Sequence, residues 1–190
     1  MHATQHWTPL AGIFLSLVLR TPSWAESVLK ADHARRVYAD TGSGAGHVHI
    51  HSVGIHLPWA WERPLLGGQL TGHWDAHVAH WSTRQVGAPR RESWTQAALV
   101  PTFRLRFNDG HSPWFMEGGI GVSWLDSAYR TARKTFSTRF NFTDHQGFGV
   151  TFGPNGTHEF MLILRHVSNA GIKKPNPGED FVQVRYSVIF

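Results

Sequence analysis

The residues best suited to chemistry are a histidine and a serine near the C-terminal end of the chain. His166 and Ser168 stand two residues apart, at the end of a run whose apolar positions alternate as in a β-strand. Side chains two apart on a strand share a face and are ~7 Å apart at the backbone, so an imidazole nitrogen can reach a hydroxyl. Such a pair could serve as general base and nucleophile in acyl transfer.

A base of this kind needs a carboxylate to orient its imidazole, and Glu179 and Asp180 open the next alternating segment. Asp180 shares the parity of Val182 and is therefore expected on the face that carries His166. Glu179 has the opposite parity but stays the alternative, because loop residues need not keep strand parity. A competing interpretation is that His166 and Ser168 only mark the polar rim where a strand leaves a bilayer.

Eight segments with alternating polarity must position these residues. Their apolar sets are Val53, Ile55, Leu57, Trp59; Leu70, Trp74, Ala76, Val78; Leu99, Phe103, Leu105, Phe107; Trp114, Met116, Ile120, Val122, Trp124; Phe136, Phe140, Phe142; Phe148, Val150, Phe152; Phe160, Leu162, Leu164; and Val182, Val184, Tyr186, Val188, Phe190. The intervening positions are far more polar, and no helical stripe of any length occurs. The pattern predicts an antiparallel all-β fold.

Two features favour a membrane barrel over a soluble barrel or sandwich. Aromatic residues cluster at the ends of the apolar sets, as interfacial girdles require, and the last segment ends with Phe190 on its apolar face. Eight strands is an even number, and side chains fill a barrel of that size. We therefore predict an eight-stranded antiparallel transmembrane β-barrel of the bacterial outer membrane, with residues 26–190 as its single domain.

The strand count also orients the chain, since an even number puts both termini on the periplasmic side. The seventh segment then runs outward. Residues 154–156, Pro-Asn-Gly, suit the short periplasmic turn before it, and the longer loop from Asn169 to about Glu179 is expected at the cell exterior. The stretches 84–93 and 126–135 are too long for the periplasmic turns that this count assigns to them.

The composition of the 190-residue chain fits an exported protein. Cysteine is absent, which excludes disulfides, thiolate metal ligands and a cysteine nucleophile. A short apolar run at residues 10–19 precedes Ser23 and Ala25, which fit the small-x-small cleavage rule, so residues 1–25 are expected to be a secretory signal. The alternative is an apolar N-terminal core segment. No apolar run reaches the ~18 to 20 residues that a membrane-spanning helix needs.

The formal net charge of +5 points to a polyanionic partner. Three basic pairs, Arg35-Arg36, Arg90-Arg91 and Lys173-Lys174, invite a nucleic-acid interpretation. A barrel exported to the outer membrane meets no nucleic acid, however. Anionic lipid is therefore the expected partner of these cations.

Two groups of histidines could imitate a metal site: His47, His49 and His51, and His73, His77 and His80. No carboxylate cluster accompanies them in the sequence. We therefore expect these histidines to line a polar lumen or its rim. Neither a metal nor another cofactor is expected.

The run His166-Val167-Ser168-Asn169-Ala170-Gly171-Ile172-Lys173-Lys174-Pro175-Asn176 closely resembles the signature of the outer-membrane lipid A 3-O-deacylases, the PagL family. Residues 70–76 and 117–122 resemble that family as well, and the similarity covers most of the chain after the signal. The resemblance implies an eight-stranded outer-membrane barrel that hydrolyses the ester at position 3 of lipid A with a Ser-His-Glu triad.

By that resemblance Ser168 is the nucleophile, His166 the base and Asn169 an oxyanion donor. The family's glutamate falls on Asp180 when the sequences are aligned without gaps, one methylene shorter. Glu179 takes that place only if one residue is deleted.

The expected function is that of a cofactor-free serine esterase, which removes the 3-hydroxyacyl chain from position 3 of lipid A in outer-leaflet lipopolysaccharide. Lys173 and Lys174, in the loop beside the triad, are expected to contact phosphates or core sugars. The expected partners are lipopolysaccharide and outer-membrane lipid, and a homodimer is left open. The alternative is a non-enzymatic small barrel that serves adhesion or membrane integrity.

Overall fold

The chain forms a closed antiparallel barrel in which each strand pairs with the next and the last pairs with the first. The computed structural model describes residues 30–45, 47–83 and 92–190, so the expected signal at 1–25 and the pair Arg90-Arg91 lie outside the described residues. The strands are β1 Arg36–Gly44, β2 Val48–Leu65, β3 Gly68–Thr83, β4 Glu92–Phe107, β5 Trp114–Leu125, β6 Phe140–Phe152, β7 His158–Ser168 and β8 Glu179–Ile189. The predicted fold class is confirmed.

Two of the predicted strand assignments are wrong, and the errors cancel in the count. β1 was not predicted, because its outward face carries only Val37, Ala39 and Thr41 and the strand ends in small residues. Conversely, the two segments predicted around Phe142 and Phe148 form the single strand β6. Phe136, which was predicted to begin the first of these two segments, lies outside β6, in the loop before it, and is buried.

The corrected strands also account for the long connections. We call the barrel end that carries the β7–β8 connection, residues 169–178, the external end. β3 ends and β4 begins at that same end, and the 126–139 connection between β5 and β6 lies there too. At the opposite end the described connections are the short ones 66–67, 108–113 and 153–157. The stretches 84–93 and 126–135 are therefore not turns of the opposite end, as the predicted segments had required. The turn at Pro154–Gly156 is a single 3₁₀ turn.

The outward face of the barrel is apolar and carries an aromatic belt near each end. Towards the opposite end, Trp114 stacks on Phe148 with ring centroids 5.3 Å apart. Towards the external end, Arg139 lies over the ring of Trp124 and Phe140 packs edge-on against Phe142. Amphipathic rings at two levels are typical of a barrel that crosses a bilayer. Within the described part of the chain, no helix has the length and apolarity needed to cross a membrane.

Side chains fill the lumen in two layers. Near the opposite end lie buried ionic groups, among which Arg104 donates hydrogen bonds to Asp32, Glu117 and Glu159. Near the external end lies an aromatic cluster in which Trp81 packs against Tyr129. Buried side chains thus occupy the described lumen near both of its ends.

The histidines that could imitate a metal site are divided between the two faces. His73 and His77 point into the lumen and are buried, whereas His49, His51 and His80 are exposed on the outward face near the external rim. Among the described residues, no three His, Cys, Asp or Glu side chains are grouped so that they could hold a metal ion.

Candidate active site

His166 and Ser168 lie on the outward face at the external end of β7. Alternate residues of the strand point outward, so both side chains continue the exposed row of Phe160, Leu162 and Leu164. The apolar row on the outward face of β7 therefore ends in two polar side chains, where the strand itself ends. A polar group on such a face loses hydrogen bonds to water unless a partner or ligand replaces them.

Asp180 is that partner for His166. The two residues are directly opposite each other in the β7–β8 register, and Asp180 Oδ1 lies 2.6 Å from His166 Nδ1. The contact fixes the imidazole with Nδ1 towards the carboxylate, which leaves Nε2 as the nitrogen available to Ser168. The side chains of His166 and Asp180 are 41% and 76% exposed, so both can be reached from outside the barrel.

Glu179 points to the other side of the wall, as its parity predicted. It is fully buried, accepts a hydrogen bond of 2.7 Å from the Tyr129 hydroxyl and pairs with Lys134 Nζ at 3.2 Å. Burial, together with the hydrogen bond to Glu179, raises the pKa of Tyr129 above its ordinary value. Glu179 thus ties the start of β8 to the 126–139 loop and does not contact the imidazole.

Gly178 is a site residue that the sequence pattern did not reveal. It has a φ of 64°, in the left-handed region, and a Cβ built on it would lie 2.6 Å from His166 Cε1. Any side chain at this position would push the imidazole away from Asp180. The glycine therefore permits the chain to pass close behind the ring.

Ser168 is the last residue of β7, and a tight loop follows it. The backbone N–H of Ala170 donates to Ser168 Oγ at 3.5 Å. Ala170 and Gly171 both have positive φ, 51° and 79°, which turns the chain back over the serine. The Ala170 N–H therefore lies beside the Ser168 hydroxyl.

Asn169 is engaged within its own loop. Its buried side-chain amide donates to Ser137 Oγ at 3.0 Å, Thr138 Oγ1 at 3.1 Å and the Lys173 carbonyl at 2.8 Å. Its Oδ1 accepts from the Gly171 N–H at 3.0 Å. These bonds occupy the donors that the resemblance assigned to an oxyanion, and they favour a role for Asn169 in shaping the loop.

The 126–139 loop supports the β7–β8 loop from the side. Besides the contacts to Asn169, Ser137 Oγ donates to the Lys173 carbonyl at 2.7 Å. Lys173 and Lys174 are exposed above this contact, beside exposed Arg130 and Arg133 of the neighbouring loop. The external rim next to His166 is therefore strongly basic.

A groove of about 870 Å³ runs along the outward face and ends at the histidine. Its lining crosses β4 to β8 and includes Phe103, Gly118, Gly119, Leu164 and His166. A groove of this size can hold an extended small molecule or an alkyl chain. The arrangement joins an apolar trough to a histidine and a carboxylate, with Ser168 two residues beyond the histidine on the same face of β7.

The sequence of this chain is similar to those of known proteins over most of its length. The family model described as lipid A 3-O-deacylase (PagL) matches residues 49–188. The lipid A deacylase PagL of Pseudomonas aeruginosa is 31% identical over 137 residues, which cover 70% of this chain and 75% of that protein. The protein of the same name from Bordetella bronchiseptica is 38% identical over 157 residues, which cover 76% of this chain and 84% of that protein.

A solved structure agrees with the sequence comparisons. The crystal structure of the outer membrane enzyme PagL superposes with a TM-score of 0.68 at 25% sequence identity. The superposition covers 82% of this chain and 99% of that chain. The superposition therefore includes most of this chain and nearly all of that one.

Proposed function

This chain belongs to the lipid A 3-O-deacylase (PagL) family, and we propose that it is a serine esterase that removes the acyl chain ester-linked at position 3 of lipid A. Its family and its closed eight-stranded barrel identify it as an outer-membrane protein. The proposal assigns Ser168 as nucleophile, His166 as base and Asp180 as the orienting carboxylate. One observation carries it: the 2.6 Å contact between His166 and Asp180 on the lipid-facing side, with Ser168 two residues further along the same face.

The reaction takes two steps. Ser168 Oγ attacks the ester carbonyl carbon while His166 Nε2 takes the hydroxyl proton. The tetrahedral intermediate collapses by breaking the bond to the sugar oxygen, which receives the proton from His166. Water then attacks the acyl-enzyme with His166 again as base, and a free fatty acid and the serine are released.

The oxyanion of each intermediate needs a donor that is free when the charge develops. We assign this role to the backbone N–H of Ala170, because its contact with Ser168 Oγ is long, 3.5 Å, and can be exchanged for the oxyanion once Oγ bonds to the carbonyl carbon. Asn169 contributes by holding the loop that presents this N–H. Its own donors are already bonded to Ser137, Thr138 and Lys173.

The position of the site suits an ester at the edge of a bilayer. His166 and Ser168 lie at the external end of β7, opposite Phe142 and Asp144 of β6, close to the external aromatic belt. Such belts lie at headgroup level, where the ester bonds of a glycolipid are found. The site would therefore face the outer leaflet, with lipopolysaccharide as its substrate.

The test is the release of acyl chain from lipopolysaccharide by purified, refolded protein, followed by mass spectrometry of lipid A. The parent should remove one 3-hydroxyacyl mass, and Ser168→Ala should lower the rate ~10⁴-fold or more. Ser127→Ala is the matched control, because Ser127 is exposed in the 126–139 loop and bonds only to Asp126.

Heat-modifiable migration on a gel reports whether each variant has folded. A folded Ser168→Ala protein that deacylates as fast as Ser127→Ala would overturn the nucleophile assignment. A folded parent that releases no acyl chain would favour a non-enzymatic barrel.

A further inference from the structure

Two polar side chains interrupt the outward face of β6. Asp144 and Gln146 have the parity of Phe142, Phe148 and Val150, so they point out of the barrel among apolar neighbours. A carboxyl group and an amide on a lipid-facing surface forfeit hydrogen bonds to water. Their presence there calls for a reason other than barrel stability.

Neither side chain has a partner in the part of the chain that the structure describes. Asp180, by contrast, is bonded to His166 Nδ1, and the buried acids of the lumen are paired with arginines. Asp144 and Gln146 therefore hold no strand or loop in place. Their hydrogen-bonding groups are available to a ligand on the outer surface.

Both residues lie beside the proposed catalytic site. Asp144 is directly opposite His166 in the β6–β7 register, and Gln146 is opposite Leu164, one step deeper in the bilayer. Asp144 is also the diagonal neighbour of Ser168, about 7 to 8 Å away at the backbone. The imidazole Nδ1 is already bound to Asp180, so Asp144 is not needed to orient the ring.

The groove passes over these two residues. Asp144 and Gln146 line it together with Gly118, whose position opposite Gln146 leaves the floor without a side chain. An acyl chain held at Ser168 by its ester carbonyl would run along this groove into the bilayer. The first polar group that it could present to Asp144 is a hydroxyl on the chain close to the carbonyl.

We propose that Asp144, assisted by Gln146, binds the 3-hydroxyl of the acyl chain and makes the enzyme selective for 3-hydroxyacyl esters. This inference rests on the proposed esterase function. The hydroxyl donates a hydrogen bond to the Asp144 carboxylate. Gln146 lies deeper in the groove, beside the carbons of the acyl chain that follow the hydroxyl-bearing carbon. Asp144 is thus a specificity-determining residue, and the proton transfers stay with His166.

The size of the effect follows from the hydrogen bond. A site with an acceptor for a substrate hydroxyl discriminates against the analogue that lacks this hydroxyl, because the acceptor is then desolvated without a partner. A hydrogen bond to a charged group corresponds to roughly a 10- to 100-fold preference. The parent enzyme should show a preference of that order.

The experiment compares two synthetic glucosamine lipids in mixed micelles, one with a 3-hydroxytetradecanoyl ester at position 3 and one with a tetradecanoyl ester. The ratio of their kcat/KM values is measured for the refolded full-length parent, Asp144→Ala and Gln146→Leu. For Asp144→Ala we expect a roughly 10- to 100-fold loss on the hydroxylated ester and a much smaller loss on the other, so that the ratio approaches one. Gln146→Leu should lower the ratio less. Asp126→Asn, an exposed acid in the external loop, is the matched control.

Each other outcome identifies what is wrong. If the parent hydrolyses both esters equally well, or if Asp144→Ala keeps the parental ratio, the hydroxyl is not bound at Asp144. If folded Asp144→Ala loses both activities by the same factor, Asp144 acts through His166 and the specificity assignment fails. If the parent cleaves neither ester nor lipopolysaccharide, the proposed esterase function itself fails.

Discussion

Ionisable side chains occupy two contrasting regions of this barrel. In the lumen, Arg104 is bonded to Asp32, Glu117 and Glu159, and all four side chains are buried. Charges that are matched in this way hold strands that are distant in sequence in one geometry. Removing Arg104 would leave Glu117 buried without a cation, and it would leave Asp32 to Arg106 and Glu159 to Arg36.

On the outward face near the external end, the polar side chains are few and exposed. Among the described residues the Asp180 side chain bonds to His166 alone, and the Asp144 side chain has no hydrogen-bond or ion-pair partner. Such groups contribute little to holding the barrel together. In this fold, therefore, the paired charges inside the barrel hold its strands together, whereas the incompletely paired polar groups outside are available to a substrate.

Two adjacent residues give the sharpest form of this contrast. Asp180→Asn should lower the deacylation rate by up to ~10⁴-fold, because an amide favours the wrong imidazole tautomer. Glu179→Gln should cost little, since a glutamine oxygen can still accept the hydrogen bond from Tyr129. The measurement is the initial rate of fatty acid release from lipopolysaccharide.

Asp180→Glu sharpens the same test, because it restores the acid that is usual in the family by resemblance. It should retain substantial activity if the strand position is equivalent. Activity in Asp180→Asn combined with inactivity in Glu179→Gln would reverse the assignment. It would mean that the loop has lost one residue relative to the family.

In the lumen, the expected loss is one of stability. Arg104→Met removes the cation that Asp32, Glu117 and Glu159 share, which should lower the free energy of unfolding by about 3 to 5 kcal/mol. The folded fraction should deacylate at the parental rate. Urea titration in lipid vesicles, read by gel migration, measures the stability.

Arg63→Met is the control for that experiment, because Arg63 is an exposed cation on β2. Its midpoint should stay close to that of the parent. If the midpoints of Arg104→Met and Arg63→Met coincide, the ionic layer of the lumen does not stabilise the barrel.

Asn169 lies between the two regions, since it is buried yet belongs to the loop of the site. Asn169→Ala should leave a residual rate, with a loss of ~10² to 10³-fold if it disturbs the oxyanion donor. If Asn169 acts by shaping the loop, the double variant Ser137→Ala, Thr138→Ala should lower kcat in parallel. If the double variant keeps the parental kcat, the loop-shaping role is wrong and the Asn169 amide itself is the oxyanion donor.

The sequence was sufficient to predict the parts of this site that depend on local periodicity. Alternation placed His166, Ser168 and Asp180 on one face and Glu179 on the other, because parity along a strand is fixed by the pleat. The same reasoning failed at β6, where Asp144 and Gln146 break the apolar row that defines a lipid-facing strand. The interruption that concealed the strand is the feature that we assign to substrate recognition.

Contacts between loops were not predictable from the sequence. The partners of the Asn169 amide are 31 and 32 residues away, in a loop with no periodic pattern. The approach of Gly178 to His166 depends on a left-handed backbone conformation that one glycine among nineteen does not reveal. Such contacts arise only when the barrel closes and brings the external loops side by side.

The smallest expected effect concerns the basic rim. Lys173 and Lys174 are exposed beside the site, where they could attract the phosphates of lipid A. Each lysine near an anionic surface is worth about 1 kcal/mol, so Lys173→Ala with Lys174→Ala should raise KM roughly 30-fold and leave kcat unchanged. The difference from the parent should shrink as salt is added, because the Debye length falls to about 3 Å at 1 M. Arg63→Ala removes one exposed positive charge at the opposite end of the barrel and should not change KM. A KM that does not respond to the two lysines, or that responds equally at low and high salt, would remove them from substrate binding.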